Sequence, residues 1–269
     1  MRAFVRLHGG DAHAAEAMLA EEVPVAFVYS GHPYAVMMCT PADLEDLAVG
    51  FTLSEGIVTR LDEIGEVTVT RHSRGVELGI DVPESARERL ASRARSISGR
   101  TGCGLCGVEA IDEAVRTPPR VTSRLTFTAD ALWRAGASLP DRQPLNDTTN
   151  TVHAAGWAAP DGELRVVRED VGRHNALDKV LGALWRSGDD AGAGFLLLTS
   201  RLSYELVQKA AVAGVPLIAA VSRPTGLAVR LADQAGITLV GLLRGETANV
   251  YSHAARVRTP SPIPLGQPL

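Results

Sequence analysis

Two cysteines three residues apart, Cys103 and Cys106, lie in the run Gly99-Arg100-Thr101-Gly102-Cys103-Gly104-Leu105-Cys106-Gly107. Glycines on both sides let the backbone turn tightly and leave the sulfurs uncrowded. Val108, Ile111 and Val115 follow at helical spacing, so the pair reads as a loop entering a helix. Arg100 and that helix N-terminus favour thiolate near neutral pH. An accessible thiolate pair suits disulfide exchange, metal binding, or carriage of sulfur as a persulfide; two buried, inert thiols are the structural alternative. The third cysteine, Cys39, falls in an apolar run and reads as core packing, and three thiols cannot make a four-cysteine zinc site within one chain. A zinc deaminase would add a His-x-Glu whose acid shuttles protons. No histidine here is followed two residues later by Glu; His153 comes nearest, with Ala155 in place of the acid. A thioredoxin-like exchanger carries its cysteine pair near the first strand–helix unit, whereas this pair lies beyond residue 100, so that reading ranks behind sulfur carriage.

A second set of candidate residues is cationic. Arg168-Glu169-Asp170-Val171-Gly172-Arg173-His174, Ser200-Arg201-Leu202, Ser222-Arg223-Pro224 and Arg244-Gly245-Glu246-Thr247 each follow an apolar run, and three of them feed a helix. Guanidinium groups beside helix N-termini suit phosphate, especially a pyrophosphate or nucleotide. The competing reading pairs these arginines with Glu169, Asp170, Glu205 and Glu246. Neither GxxxxGK[ST] nor GxGxxG occurs, which disfavours an ordinary P-loop nucleotidase or a dinucleotide dehydrogenase.

Positioning these loops falls to the second half of the chain. Leu164–Val167, Phe195–Thr199, Val215–Val221 and Ile237–Leu243 read as strands. Asn175–Arg186, Ser203–Ala213 and Thr225–Ala235 read as the helices between them, with Asn175 as N-cap and Asp178 three residues on echoing a capping box. That β-α-β-α-β-α-β order predicts a mostly parallel sheet with helices on both faces, its ligand edge at the C-terminal strand ends. The first half reads as a smaller α+β lobe. Val23–Tyr29 and Tyr34–Cys39 form a hairpin, and a helix capped by Thr40 with Pro41 at its first position runs through Leu44, Leu47, Ala48 and Phe51. Val67–Thr70 and Val76–Val82 are strands, and Arg87, Arg89, Arg93, Arg95 and Arg100 mark a solvated helix face. The expected division is residues 1–124, ending in the cysteine loop and its helix, 125–259 as the ligand-binding α/β lobe, and 260–269 as a Pro-rich tail.

The formal net charge of −4 argues against a general nucleic-acid or anionic-membrane binder, and 4% aromatics leave little for stacking on bases. The longest strongly apolar uncharged stretch, between Lys209 and Arg223, is too short for a bilayer. Acidic residues interrupt the N-terminal region before any signal-like run forms, and an odd, low cysteine count fits a reducing cytoplasm.

Several segments, in order, resemble the formate dehydrogenase accessory sulfurtransferase family (FdhD/NarQ): EVPVAFVYSG (Glu22–Gly31), CTPADLEDLAVGFTLSEGI (Cys39–Ile57), GRTGCGLCG (Gly99–Gly107), REDVGRHNALDKVLG (Arg168–Gly182), SRLSYELVQKAAVAGVPLIAAVS (Ser200–Ser222) and ITLVGLLRGETANVYSH (Ile237–His253). The chain departs from the family pattern at Thr149-Asn150-Thr151 and at Arg223. The resemblance implies a cytidine-deaminase-like fold without zinc. It implies that Cys103, with Cys106, takes sulfur as a persulfide from a cysteine desulfurase. The sulfur then passes to a molybdenum cofactor, a bis(molybdopterin guanine dinucleotide), before insertion into the formate dehydrogenase catalytic subunit. It places the cofactor on Leu242, Leu243, Arg244, Gly245, Glu246 and Thr247, to which the arginine pattern adds Arg173, His174, Arg201 and Arg223, with GDP or GMP as a mimic. A cytoplasmic homodimer with no resident metal is expected. The alternatives are a chaperone that shelters the cofactor, or a disulfide oxidoreductase using Cys103 and Cys106.

Overall fold

A computed structural model describes residues 1–90 and 117–260. The cysteine pair, its flanking helix, Arg93, Arg95, Arg100 and most of the Pro-rich tail lie outside the described residues.

The chain opens with a hairpin, β1 (Arg2–His8) and β2 (Asp11–Ala17), in which Val5 and Leu7 stay largely exposed. A four-stranded sheet follows, in the order β4-β3-β6-β5, from β3 (Val23–Tyr29), β4 (His32–Cys39), β5 (Val67–His72) and β6 (Gly75–Ile80). The expected hairpin is present. Ser30 and Gly31 both take positive φ, which matches the turn twist to that of the strands. Val25, Phe27 and Tyr29 alternate inward from β3 and bury against α1 (Leu44–Ser54), whose Leu47 and Phe51 join the same core. Residues 84–90 are helical and exposed at Glu88 and Arg89, in keeping with the solvated face expected there.

The start of α1 differs from expectation: its N-cap is Asp43 and the helix begins at Leu44. Thr40 cannot cap it because the other lobe takes all its polar groups. Its N–H donates to Asp170 Oδ2 (3.0 Å), its carbonyl accepts from Lys179 Nζ (3.0 Å), and its hydroxyl accepts from the Val171 N–H (3.2 Å).

The second lobe is a six-stranded sheet built from β8 (His153–Ala158), β9 (Leu164–Asp170), β10 (Phe195–Leu198), β11 (Leu217–Ala220), β12 (Thr238–Arg244) and β13 (Thr247–Val250). A short pair, β7 (Phe127–Thr128) with β14 (Val257–Arg258), lies apart from it. The sheet order is β13-β12-β11-β10-β8-β9. The expected mostly parallel sheet is corrected here to a mixed one. Only β10–β11 and β11–β12 are parallel ladders, while β8 pairs antiparallel with both β9 and β10, and β13 antiparallel with β12. The four strands read from the sequence do run in one direction. An antiparallel β8 is inserted between the first two, and its all-apolar run after His153 carries no period that would mark its place.

Both faces are covered as expected. Leu196, Leu198, Ile218 and Leu239 point to α4 (Arg173–Ser187), α5 (Tyr204–Val212) and α6 (Gly226–Ala235). Phe195, Leu197, Leu217 and Val240 point to the opposite face, covered by α2 (Ala129–Ser138). Thr128 caps α2 through its hydroxyl, which accepts the Ala131 N–H at 3.1 Å. A short α3 (Pro144–Thr149) leads into β8.

The lobes meet where α1 crosses α4 at a pair of glycines. A methyl group on Gly50 would collide with the Asp178 carbonyl, and one on Gly182 with the Asp46 carbonyl, so the backbones themselves are in contact. Asp46, almost fully buried, receives Arg168 from β9 (2.8 Å) and Arg186 from α4.

Candidate functional site

The loop from β9 into α4 carries the Glu169–Lys179 motif, and most of its polar residues are structural. Glu169 accepts the Leu145 and Asn146 N–H groups (2.9 and 2.7 Å), holding the first turn of α3. Asp170 and Lys179 are an ion pair at 2.6 Å with no exposed surface. Asp170 also accepts from Gly172 N–H (2.8 Å) and Asn175 Nδ2 (2.9 Å). Asn175 donates on to the Met38 carbonyl (2.9 Å) and Cys39 Sγ (3.2 Å). Asp178 accepts from Ser54 Oγ (2.7 Å) and Lys209 Nζ (3.0 Å), and Lys209 reaches Glu55 at 2.7 Å. The expected capping box of Asn175 and Asp178 is therefore absent. Gly172 is the N-cap, without a side-chain cap, because both residues are turned toward the first lobe.

With those side chains committed, Arg173 and His174 are left at the sheet edge. Arg173 has a buried Nε with no hydrogen-bond partner among the described residues. His174 Nε2 lies 2.8 Å from Glu205 Oε2 and 3.5 Å from Ser203 Oγ. Burial pulls the His174 imidazole below its ordinary range; Glu205 opposes this, and the Arg173 and Lys209 charges add to it. The contact with Glu205 pairs the Nε2 edge of the ring with a carboxylate that works against the effect of burial. With Nε2–H given to Glu205, Nδ1 remains the acceptor nitrogen. His153 stands at the start of β8, in register with Asp170, so the inserted strand brings it to the same edge between the ends of β9 and β10. Burial, then the Arg173 and Arg201 charges, hold its imidazole low as well.

The other strand-end loops are stitched together. Leu202 N–H donates to the Arg223 carbonyl (3.3 Å) and Thr225 N–H to the Leu202 carbonyl (2.9 Å). Leu242 N–H reaches the Ser222 carbonyl (3.1 Å) from a left-handed conformation (φ 56°) at a bulge in β12. Such a backbone is strained for a leucine and is held here by its neighbours. Leu243 turns into the core. Arg244, Gly245, Glu246 and Thr247 form an exposed turn between β12 and β13, which Thr247 closes with a hydroxyl bond to the Arg244 carbonyl (2.9 Å).

The candidate residues accordingly fall into two groups on one edge. His153, Arg173, His174 and Arg201 belong to the β8, β9 and β10 ends; Leu242 to Thr247 lie at the far side, with Arg223 between. β12 is three strands from β8, so the groups are roughly 14 Å apart at the usual strand spacing. Arg168, in contrast, is spent on Asp46. Sequence reasoning missed His153 and the positioning role of Glu205. The signal for His153 was a lone polar residue opening an apolar strand; nothing local pointed to the Glu205 contact.

The chain re-enters the described region at Thr117, in the wall of a cavity of about 270 Å³ that Glu205, Tyr204 and Lys209 also line. Cys39 is fully buried, and burial, with Asp170 adding to it, pushes its thiol up to about 12, which removes it as a thiolate at neutral pH.

Because Glu205 supports the protonated ring, Glu205→Gln is expected to shift the His174 titration to lower pH. NMR of the ring protons checks this, and an unchanged or raised titration point would show that Glu205 does not act on the ring.

The FdhD/NarQ family model matches residues 20–258. A sulfur carrier protein FdhD of Xanthomonas oryzae is 49% identical over 257 residues, covering 96% of this chain and 92% of its own. One of Cupriavidus necator is 50% identical over 240 residues, covering 89% of this chain and 83% of its own. A Desulfotalea psychrophila protein crystallised as a candidate formate dehydrogenase accessory protein superposes with a TM-score of 0.75 at 25% identity, covering 96% of this chain and 98% of that one.

Proposed function

This chain belongs to the FdhD/NarQ family, and we propose that it carries sulfane sulfur on Cys103 to a molybdenum cofactor bound along the strand-end edge, for delivery to formate dehydrogenase. The observation that carries the reading is the placement of Arg173, His174 and Arg201 at neighbouring strand ends of one sheet edge. The names of the relatives support sulfur carriage and a formate dehydrogenase client. The burial of Cys39 supports the Cys103 and Cys106 pair as the reactive thiols.

In the loading step, the Cys103 thiolate attacks the outer sulfur of a cysteine desulfurase persulfide. One S–S bond forms, the donor S–S bond breaks, and the donor leaves as a thiolate, with no net oxidation. In the delivery step the cofactor, a bis(molybdopterin guanine dinucleotide), is the acceptor and cargo. Its guanosine-phosphate arm fits the edge from Arg223 to Thr247. The exposed turn at Arg244 and Gly245 offers a guanidinium and an open stretch of backbone there. The cytidine-deaminase-like ancestry and the cytoplasmic setting belong to the same reading. Homodimer formation has support in the uncovered Val5 and Leu7 of the first hairpin and Val36 and Met38 of β4.

GDP is the accessible mimic of that arm. It is expected to bind the whole chain, with affinity falling as salt rises. Arg244→Ala is expected to weaken binding by roughly 1.5–3 kcal/mol, the value of a charge-assisted hydrogen bond, and to leave persulfide loading on Cys103 unchanged. Titration calorimetry on both proteins tests this. Equal affinities, or no GDP binding, would remove the edge as the cofactor site.

A further inference from the structure

The first hairpin is a ribbon with two unlike faces. In its register Val5 stands opposite Ala14 and Leu7 opposite Ala12, with Ala3 on the same side, so that face is apolar apart from Glu16 at its end. The other face carries Arg2, Arg6, His8 and His13. Phe4, on that polar face, is covered by its neighbour: the Arg6 guanidinium lies 5.7 Å from the ring centroid. Val5 and Leu7, in contrast, are 64% and 75% exposed. β1 and β2 pair only with each other, and a two-stranded ribbon with no covered face is marginal in water. A matching face lies on the four-stranded sheet. Val25, Phe27 and Tyr29 point to α1, so Ala26 and Val28 point away from it, and the ladder sets Val36 opposite Ala26 and Met38 opposite Pro24. Val36 and Met38 are 67% and 47% exposed. On the β5–β6 half the same outer face is polar, with Thr68, Thr70 and Glu77, as a solvated sheet face should be; the β3–β4 half is not. Of the large apolar side chains left exposed among the described residues, only Leu61, Leu125 and Val212 lie beyond Cys39.

We propose that two copies of this chain exchange hairpins: the Val5 and Leu7 face of one copy seats on the Val36 and Met38 face of the other, and the reverse. The proposal rests on the homodimer reading and deepens it by naming the interface. The hairpin itself lies outside residues 20–258, the part that the family model matches. One partner then covers both uncovered faces. About a two-fold axis each apolar face meets its complement, and the assembly closes without leaving a free copy of either. The ribbon does not lie on its own sheet, since both of its faces stay exposed. The link from Met18 to Glu22 spans at most about 17 Å, enough to carry the ribbon clear of β3. Its exposed Met18 and Leu19 continue the apolar strip between the two faces. One face of a ribbon with seven-residue strands measures roughly 24 by 10 Å. Two such faces and their two seats bury about 1,000 Å², the size at which an interface becomes specific.

Sedimentation velocity on the whole chain reads the assembly, and the wild type is expected to run as a dimer. Val5→Asp with Leu7→Asp, and separately Val36→Asp with Met38→Asp, place charge in the contact at exposed positions. Each pair should weaken dimerisation about a hundredfold or more, because the carboxylates would be buried without partners. His13→Gln, on the polar face of the same hairpin, should leave dimerisation unchanged. Photo-crosslinking locates the contact without relying on those variants. A chain with Leu7 replaced by the photoreactive benzoylphenylalanine is mixed with isotope-labelled wild type and irradiated. Mass spectrometry should find it joined to labelled peptides of β3 or β4. Attachment to hairpin peptides, or only to the sheet of its own chain, overturns the exchange. So does a dimer that survives either pair of aspartates, or one that is lost equally in His13→Gln. In those cases a wild-type dimer keeps the homodimer reading on another face; a monomeric wild type ends both.

Discussion

A Cys103→Ala variant is expected to take up no sulfane sulfur from a cysteine desulfurase and to leave formate dehydrogenase inactive, while the protein folds as before. The expectation follows from the thiolate chemistry of a glycine-flanked cysteine near Arg100, together with the exclusion of Cys39. Mass spectrometry after incubation with the desulfurase and cysteine reads the outcome directly. The wild type should gain about 32 Da, the mass of one sulfur atom on a persulfide-forming thiolate. A clean intramolecular disulfide would favour the oxidoreductase, and no adduct would favour a sheltering chaperone. Cys39→Ala supplies the opposite control. It should keep sulfur loading and lose roughly 1–2 kcal/mol of stability, because it removes a buried side chain that receives the Asn175 amide. Loading that survives Cys103→Ala but fails in Cys39→Ala would reverse the assignment.

The largest loss of stability is expected from Lys179→Met. Asp170 and Lys179 are both wholly buried, and removing the ammonium strands a carboxylate among groups that cannot hydrate it. Breaking a buried pair from one side costs about 3–5 kcal/mol, whereas replacing both members by apolar groups of similar volume can be nearly neutral. Urea unfolding of Lys179→Met, and of the double variant with Asp170→Leu, separates the two effects. The single variant should be the less stable, although the double variant also gives up the Asp170 bonds to Thr40, Gly172 and Asn175. A single variant within about 1 kcal/mol of wild type would mean that the Asp170 carboxylate does not depend on the Lys179 ammonium for its burial.

The sequence carried the second lobe well. Periodic helices between apolar strands locate α4, α5 and α6 to within a residue or two, since those segments bury one continuous stripe each. Thr225, as a local N-cap, behaves as its type suggests. Local signals failed where a distant partner claimed the side chain. Thr40 and Asn175 carry the chemistry of helix caps, yet each is satisfied across the lobe boundary instead. The place of β8 was not legible either, because insertion between two strands adjacent in sequence is a long-range choice that an apolar run does not encode. At the site, residue types announced cations at strand ends. Their division was hidden: Arg168 belongs to Asp46, while Arg173 keeps a buried donor without an acceptor among the described residues. That distinction depends on which carboxylates the fold delivers, not on spacing along the chain.

The glycine crossing of α1 and α4 also limits how this protein can move. Shear between packed helices needs side chains that slide and change rotamer, and here backbone meets backbone, with buried ion pairs on either side of the contact. Jaw-like closure of one lobe on the other would have to break these together. Among the described residues, freedom to rearrange is left to the strand-end turns, of which the exposed Arg244–Thr247 turn is the least constrained. The two helices act as a fixed anvil, and any adaptation among the described residues falls to the loops around the sheet edge.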